Sequence, residues 1–161
     1  MDATPEKIKE ILEQQVGQYK ELLELLQKER LCLMDLDWEG VRELSKRKDT
    51  VVLKLRLLEQ ERVRLVEGLP ISGGCAGEGL LSLRELEAKT GDAAFLTLRS
   101  QLICLLQSIS ELNEFNRILI DRTLVVVNGS LETLGLGGHA AGGHAPKGFL
   151  PGKGMAVSRN I

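Results

Sequence analysis

Residues 22–65 read LLELLQKERLCLMDLDWEGVRELSKRKDTVVLKLRLLEQERVRL. Apolar residues recur at steps of three and four on both sides of one interruption, Asp35-Leu36-Asp37. That spacing lines one face of a helix, not of a strand. Asp37 is a good N-cap, and Leu36 and Val41 occupy the two positions of a hydrophobic staple. A short break between two such helices predicts an antiparallel αα-hairpin, with a single kinked helix as the alternative.

The pattern extends both ways. Upstream, Thr4-Pro5 opens a helix over about 5–34 with the stripe Ile8, Leu12, Val16, Tyr19, Leu23, Leu26, Arg30, Leu33. The second helix, about 37–67, carries Val41, Leu44, Lys48, Val51, Leu55, Leu58, Arg62, Leu65 and Leu69, and Gly68 with Pro70 stops it. A glycine-rich loop, 68–80, follows. Ser82 and Glu85 form a capping box, with Leu81 and Leu86 as its staple, for a short helix over 82–90. Asp92 caps a long helix over 92–134, whose stripe runs Leu98, Leu102, Leu105, Ile109, Leu112, Asn116, Ile120, Leu124, Val127, Leu131, Leu134. The four-residue steps from Leu112 to Leu124 are a stutter. The expected fold is all-α: an antiparallel three-helix bundle or coiled coil over residues 1–134 with a long third helix.

Composition agrees. The 161 residues are 43% apolar and 27% charged but only 3% aromatic, a balance that favours long helices over sheets. The net charge of −2 gives no general reason to expect nucleic acid. No apolar run reaches the roughly 18–20 residues that cross a bilayer, and MDATPEKIKEIL has no signal-peptide core. Cys32, Cys75 and Cys104 leave one thiol unpaired in any pairing, which suits a reducing compartment. The reading is a soluble, cytosolic chain. From Gly135 the character changes: residues 135–161 hold eight glycines, two prolines, Lys147, Lys153, Arg159 and no acid. Such a segment buries too little to offset ordering costs of about 1–2 kcal/mol per residue, so a disordered basic tail is expected.

Length generates the most informative feature. If three helices start level, the longest overhangs its neighbours at residues 120–134, where the apolar stripe continues with nothing to cover it. That end, TLVVVNGSLETL (123–134), contains three poor helix formers and Gly129. A marginal helix with a bare apolar stripe suits coupled folding and binding to a partner helix. A bend of the helix or a homodimer would also cover it.

Other motifs carry less. Arg30, Lys48, Arg62 and Asn116 fall in core registers, where polar residues set register or snorkel. His139 and His144, in GGHAAGGHA, have no third ligand nearby, so no metal is expected. Cys75 has no adjacent base to make it a nucleophile, and GGCAGEG follows a helix, unlike a dinucleotide loop. GFLPGKG (148–154) is a residue short of a P-loop and ends in Gly where Ser or Thr would hold magnesium. The sequon Asn128-Gly129-Ser130 carries no weight in a cytosolic chain. No catalytic set can be assembled, so the expectation is a non-enzyme without cofactor.

The order of these segments resembles the FlgN family of flagellar export chaperones over about residues 5–135. The residues that carry it are the 22–65 stretch with Lys48, Glu59 and Arg62, the short LSLREL (81–86), and LNEFNRILIDRTL (112–124), where Asn113 and Asn116 precede an apolar helix end. The resemblance implies a cytoplasmic chaperone for the two hook–filament junction proteins (hook-associated proteins). It would keep their helical terminal regions from associating early and deliver them to the export gate of the flagellar type III apparatus, without nucleic acid or membrane insertion.

It further implies substrate binding through the end of the third helix: Ile120, Leu124, Val127, Leu131 and Leu134, with Asn116 at the base. The third helix holds no tyrosine or tryptophan, so an aromatic export-gate contact falls to Phe115 or Phe149. A monomer or weak dimer is expected. Two other readings stay open: a structural coiled-coil adaptor that acts by oligomerising, and a chaperone for another flagellar substrate.

Overall fold

The computed structural model describes residues 3–69 and 83–135. Four helices follow in order: α1 (Ala3–Met34), α2 (Trp38–Glu67), α3 (Leu83–Thr90) and α4 (Ala94–Thr133). Strands are absent among the described residues. α1 begins at Ala3, two residues before the expected start, so Thr4 and Pro5 lie within its first turn, where a proline costs no hydrogen bond.

Cross-helix bonds fix the directions. Gln15 Nε2 on α1 donates to Glu59 on α2 at 3.0 Å, and Lys48 on α2 reaches back to Glu29 on α1. Rising numbers on one helix meet falling numbers on the other, which is the antiparallel hairpin and excludes the kinked helix. α4 runs the other way relative to α2 and alongside α1: Lys9 meets Asp92 at 3.2 Å near one end, and Asn116 meets Leu26 at 3.0 Å further along. The result is an up-down-up bundle. The short α3 packs on α4 and inserts Leu83 and Leu86 into the end of the core away from the hairpin turn.

α1 packs against both α2 and α4. Its buried surface is therefore wider than one stripe and takes in Ile11, Leu22 and Leu25 beside Leu12, Leu26 and Leu33. Glu29, not Arg30, is the charged residue buried there, and Arg30 is exposed. A one-stripe reading of a helix with two neighbours misassigns its flanks. α2 has a narrower core face: Leu44, Val51, Leu55 and Arg62 are buried as its spacing predicts, but at its end Val66, not the expected Leu65, is the buried residue.

The apolar core divides into two clusters. One gathers Ile8, Leu12, Val16, Val66, Phe95 and Leu102 around α3; the other gathers Leu22, Leu25, Leu26, Val51, Leu55 and Ile109 toward the hairpin turn. Each such side chain contributes roughly 1.5–3 kcal/mol on burial. A polar layer on α1 and α2 accompanies them. Arg62 is buried and holds Glu59 through two bonds, of 2.9 and 2.7 Å, while Gln15 supplies a third donor. Arg62 is thus a paired core residue, not a snorkelling one.

Asp92 accepts from Ala94 N at 2.9 Å and so caps α4, although the residue before the helix is Ala93. The expected staple at Leu36 does not form, because that side chain is exposed. Ser82, Leu81 and the loop at 70–82 lie outside the described residues, as does the tail beyond 135.

Burial pushes the Glu59 carboxyl up, but the Arg62 guanidinium and the Gln15 amide together outweigh it and hold Glu59 below the usual carboxylate range. A lowered native value means that the stabilisation is present above the unfolded range, near 4.3, and is lost as pH falls through the native one. Glu59→Gln should therefore cost on the order of 1–3 kcal/mol at pH 7. In urea titrations at pH 7, 5 and 3 the gap to the unaltered chain should close toward the acid end; a gap independent of pH would show that the pair adds no charge-linked stability.

Candidate functional site

The bundle ends unevenly. Asn116 on α4 is level with Leu26 and Glu29 on α1, because its Nδ2 donates to the Leu26 carbonyl and to Glu29 Oε2, each at 3.0 Å. From there α1 has only a turn or two left before Met34, whereas α4 continues to Thr133. At about 1.5 Å per residue, α4 runs roughly 15 Å past the hairpin turn. Ile120 is partly covered at the base of this projection. Beyond it Leu124 is 50% exposed, and Val127, Leu131 and Leu134 are exposed as well. Nothing in the chain's described residues packs on that stripe.

The projection is held by its own backbone. Thr123, Ser130 and Thr133 each turn their hydroxyl back onto the carbonyl four residues earlier, at 2.8, 2.9 and 2.8 Å. These bonds satisfy the hydroxyls but add little to helix stability. Val125 and Val126 are also exposed, so this part of α4 offers apolar surface on more than one face.

Beside the root of the projection lies the α1–α2 turn, whose apolar surface the sequence reading did not single out. Leu31, Met34, Leu36 and Trp38 are all exposed there, with Asp35, Asp37 and Glu39 interleaved. The turn is tightly built. Asp37 N donates to Cys32 O at 2.8 Å, and the Asp37 carboxylate caps α2 by accepting from Gly40 N at 3.0 Å. A Cβ on residue 40 would sit 2.4 Å from Asp37 Oδ2 and 2.8 Å from Cys32 Sγ, so any larger residue there must push these side chains aside. Burial and the neighbouring Asp37 push the Cys32 thiol up, so it is not an activated nucleophile. Leu36 has φ +57°, a left-handed backbone that leucine adopts at a cost of roughly 1–2 kcal/mol. The alternation of apolar and acidic residues in MDLDWE was the available signal; it was assigned to a staple instead.

A charged layer supports both features. Glu29 is buried, accepts from Lys48 of α2 on one oxygen and from Asn116 of α4 on the other. One carboxylate thereby ties three helices. Asn116 is only 2% exposed, so it belongs to the core and positions the projection; it is not part of the open stripe. Its Oδ1 finds no partner among the described residues.

Phe115 points outward, its ring 4.3 Å from the Arg30 guanidinium, and the two line a shallow groove of about 360 Å³ between α1 and α4 with Leu23 and Leu112. Phe149, His139, His144, Cys75 and the 148–154 segment lie outside the described residues. Among the described residues no group of three His, Cys, Asp or Glu is placed to hold a metal, and no helix is long and apolar enough to cross a membrane.

The arrangement leaves an apolar helix face exposed at the end of α4. A family model described as FlgN protein matches residues 1–141 of this chain. No curated protein and no solved structure matches it.

Two outcomes follow from the local geometry. Lys48→Met strands the buried Glu29 charge and should destabilise the fold by about 3–5 kcal/mol, while Lys48→Met with Glu29→Met should recover most of that loss. Chemical denaturation of the two single variants and the double variant measures the coupling, and additive losses would deny it. Gly40→Ala should displace the Asp37 cap and cost roughly 0.5–2 kcal/mol, read as a lower midpoint in thermal unfolding.

Proposed function

The chain belongs to the FlgN family, a family of flagellar export chaperones, and from that premise we propose that it binds the helical terminal regions of hook–filament junction proteins. The docking site is the projecting end of α4: Ile120, Leu124, Val127, Leu131 and Leu134. One observation carries this reading: the apolar stripe of α4 continues past the hairpin turn with no cover from the described residues. A substrate's amphipathic helix laid along it completes a helical layer that the chain begins and does not finish.

The energetics suit a carrier. Five side chains of this kind supply roughly 1.5–3 kcal/mol each before ordering costs, and association and ordering consume much of that. The surplus supports a complex that forms in the cytoplasm and releases its cargo at the export gate. The stripe that the chaperone covers on its substrate is the stripe through which junction proteins associate, so binding and protection are one act. Gate contact is assigned to Phe115, whose exposed ring lies beside the root of the docking site, or to Phe149 in the tail.

Leu124→Asp with Leu131→Asp should abolish a 1:1 complex with a junction protein in size-exclusion chromatography with light scattering. Both residues are exposed, so helicity in circular dichroism should remain nearly unchanged. Loss of helicity in step with binding would make them fold residues and sink the site assignment. A stable dimer that ignores the junction protein would instead favour a structural adaptor, and binding only to the filament cap or to flagellin would move the substrate assignment.

A further inference from the structure

The α1–α2 turn carries features that chain reversal alone does not require. Leu36 sits at φ +57° and still exposes 56% of its surface, and Met34 and Trp38 are exposed with it. Glycine or asparagine would hold that backbone at lower cost. Residues 31–41 also contain Asp35, Asp37 and Glu39 and no base. Glu39 only faces Arg42 at 3.6 Å across exposed surface, and Asp37 keeps its charge while it caps α2.

The contacts between α1 and α4 place this turn against the projection. Arg30 lies against Phe115 and Leu26 against Asn116, and the two helices run in the same direction. Met34 is therefore level with about residue 122 of α4. Asn116 points at α1, and Val127 and Leu134 follow it by about three and five whole turns, so they point the same way. Above Met34 they face the place that α1 has vacated, where they are exposed. A helix laid on that stripe stands end-on to the turn.

We propose that the cargo helix docks with its N-terminal end on the α1–α2 turn, runs parallel to α4 as a continuation of α1, and rests on Met34, Leu36 and Trp38 as an apolar floor. The inference rests on the α4 docking site proposed above and adds its lower boundary and its polarity. Charge selects the end. The first turn of a helix carries about half a positive charge on unpaired N–H groups, and the last turn about half a negative one. At the turn the negative end of α1 and the positive end of α2 offset each other, which leaves the three carboxylates to set the sign. They attract the N-terminal end of an incoming helix and repel its C-terminal end. The fitting cargo is thus an amphipathic helix whose first turn holds apolar side chains and no acid, since the chaperone supplies the carboxylates there.

Leu36→Asn separates docking from folding. Asparagine tolerates the left-handed backbone, so the thermal midpoint should hold or rise. Affinity for a hook–filament junction protein, measured by calorimetry, should nonetheless fall about tenfold. Asp35→Lys with Glu39→Lys should weaken binding about three- to tenfold at low ionic strength, and the loss should shrink in about 1 M salt. Polarity is read with a nitroxide on Leu36→Cys in a chain whose native cysteines are serine. It should broaden the N-terminal amide signals of a bound peptide that spans the junction protein's helical terminal region.

Broadening at the peptide's C-terminal end would overturn the proposal. So would full affinity in both turn variants, or a fall of affinity and midpoint together in Leu36→Asn, which would make Leu36 a fold residue. A dimer of the unaltered chain that Leu36→Asn dissolves would overturn it as well, because a second copy would then cover the turn. Leu124→Asp with Leu131→Asp keeps the two readings apart. If that variant loses the junction protein while the turn variants keep it, the α4 site stands and the end-on contact falls. If the unaltered chain binds no junction protein, both fall.

Discussion

Everything at the working end of this molecule depends on where α4 stops sliding along α1. Two apolar helices in contact have no strong preference among registers that differ by one turn, because one leucine layer resembles the next. Glu29 removes that degeneracy. It is buried, must be neutralised, and finds Lys48 on α2 and the Asn116 amide on α4 only when the three helices stand at one mutual height. A shift of α4 by one turn would leave Glu29 its Lys48 partner but bury the Asn116 amide away from Leu26 O and Glu29 Oε2, an unsatisfied polar group that costs about 1–3 kcal/mol. The length of α4 that projects beyond the hairpin is therefore set by one carboxylate and its two donors. Were α4 free to slip, the stripe at Leu124–Leu134 would be covered by degrees, and its exposed surface would have no fixed extent.

Much of this was legible in the sequence, for reasons that differ by helix. α2 faces one main neighbour, so a single stripe at three- and four-residue steps named most of its core, buried Arg62 included, and missed only Val66 among its buried residues. α1 serves two neighbours. Periodicity alone gives the centre of such a face and not its edges, which is why Arg30 stood in for Glu29. The projection of α4 followed from length arithmetic and needed no contact information. Asn116 was placed in the core register by spacing and on the docking site by resemblance; its donors to α1 decide for the core.

The α1–α2 turn was the least legible part. Asp37 was recognised as a cap, and the cap is there. Leu36 was given a staple's inward role because it precedes a cap, the ordinary inference. The staple requires a backbone that leads the residue before the cap back over the first helical turn. Here that residue is in a left-handed conformation, imposed by closing the turn within three residues, and the side chain leaves the protein instead. A positive φ at leucine cannot be seen in a sequence.

The projection also limits how tightly anything can hold it. Val125 lies nine residues from Asn116, two and a half turns, and so faces away from the stripe that continues the core. It is exposed together with Val126. A helix docked as proposed would cover the side bearing Ile120, Val127 and Leu134 and leave Val125 in water. The helix must meanwhile be maintained through three consecutive valines and Gly129, residues that oppose it. Binding energy is thus divided between covering apolar surface and paying the ordering cost of a segment with poor intrinsic helicity. A more helical sequence on the same register would bind more tightly and let go more slowly. In the proposed role, where cargo must leave, the poor helix formers at 125–129 would hold the affinity down, while Glu29 fixes the geometry of the surface.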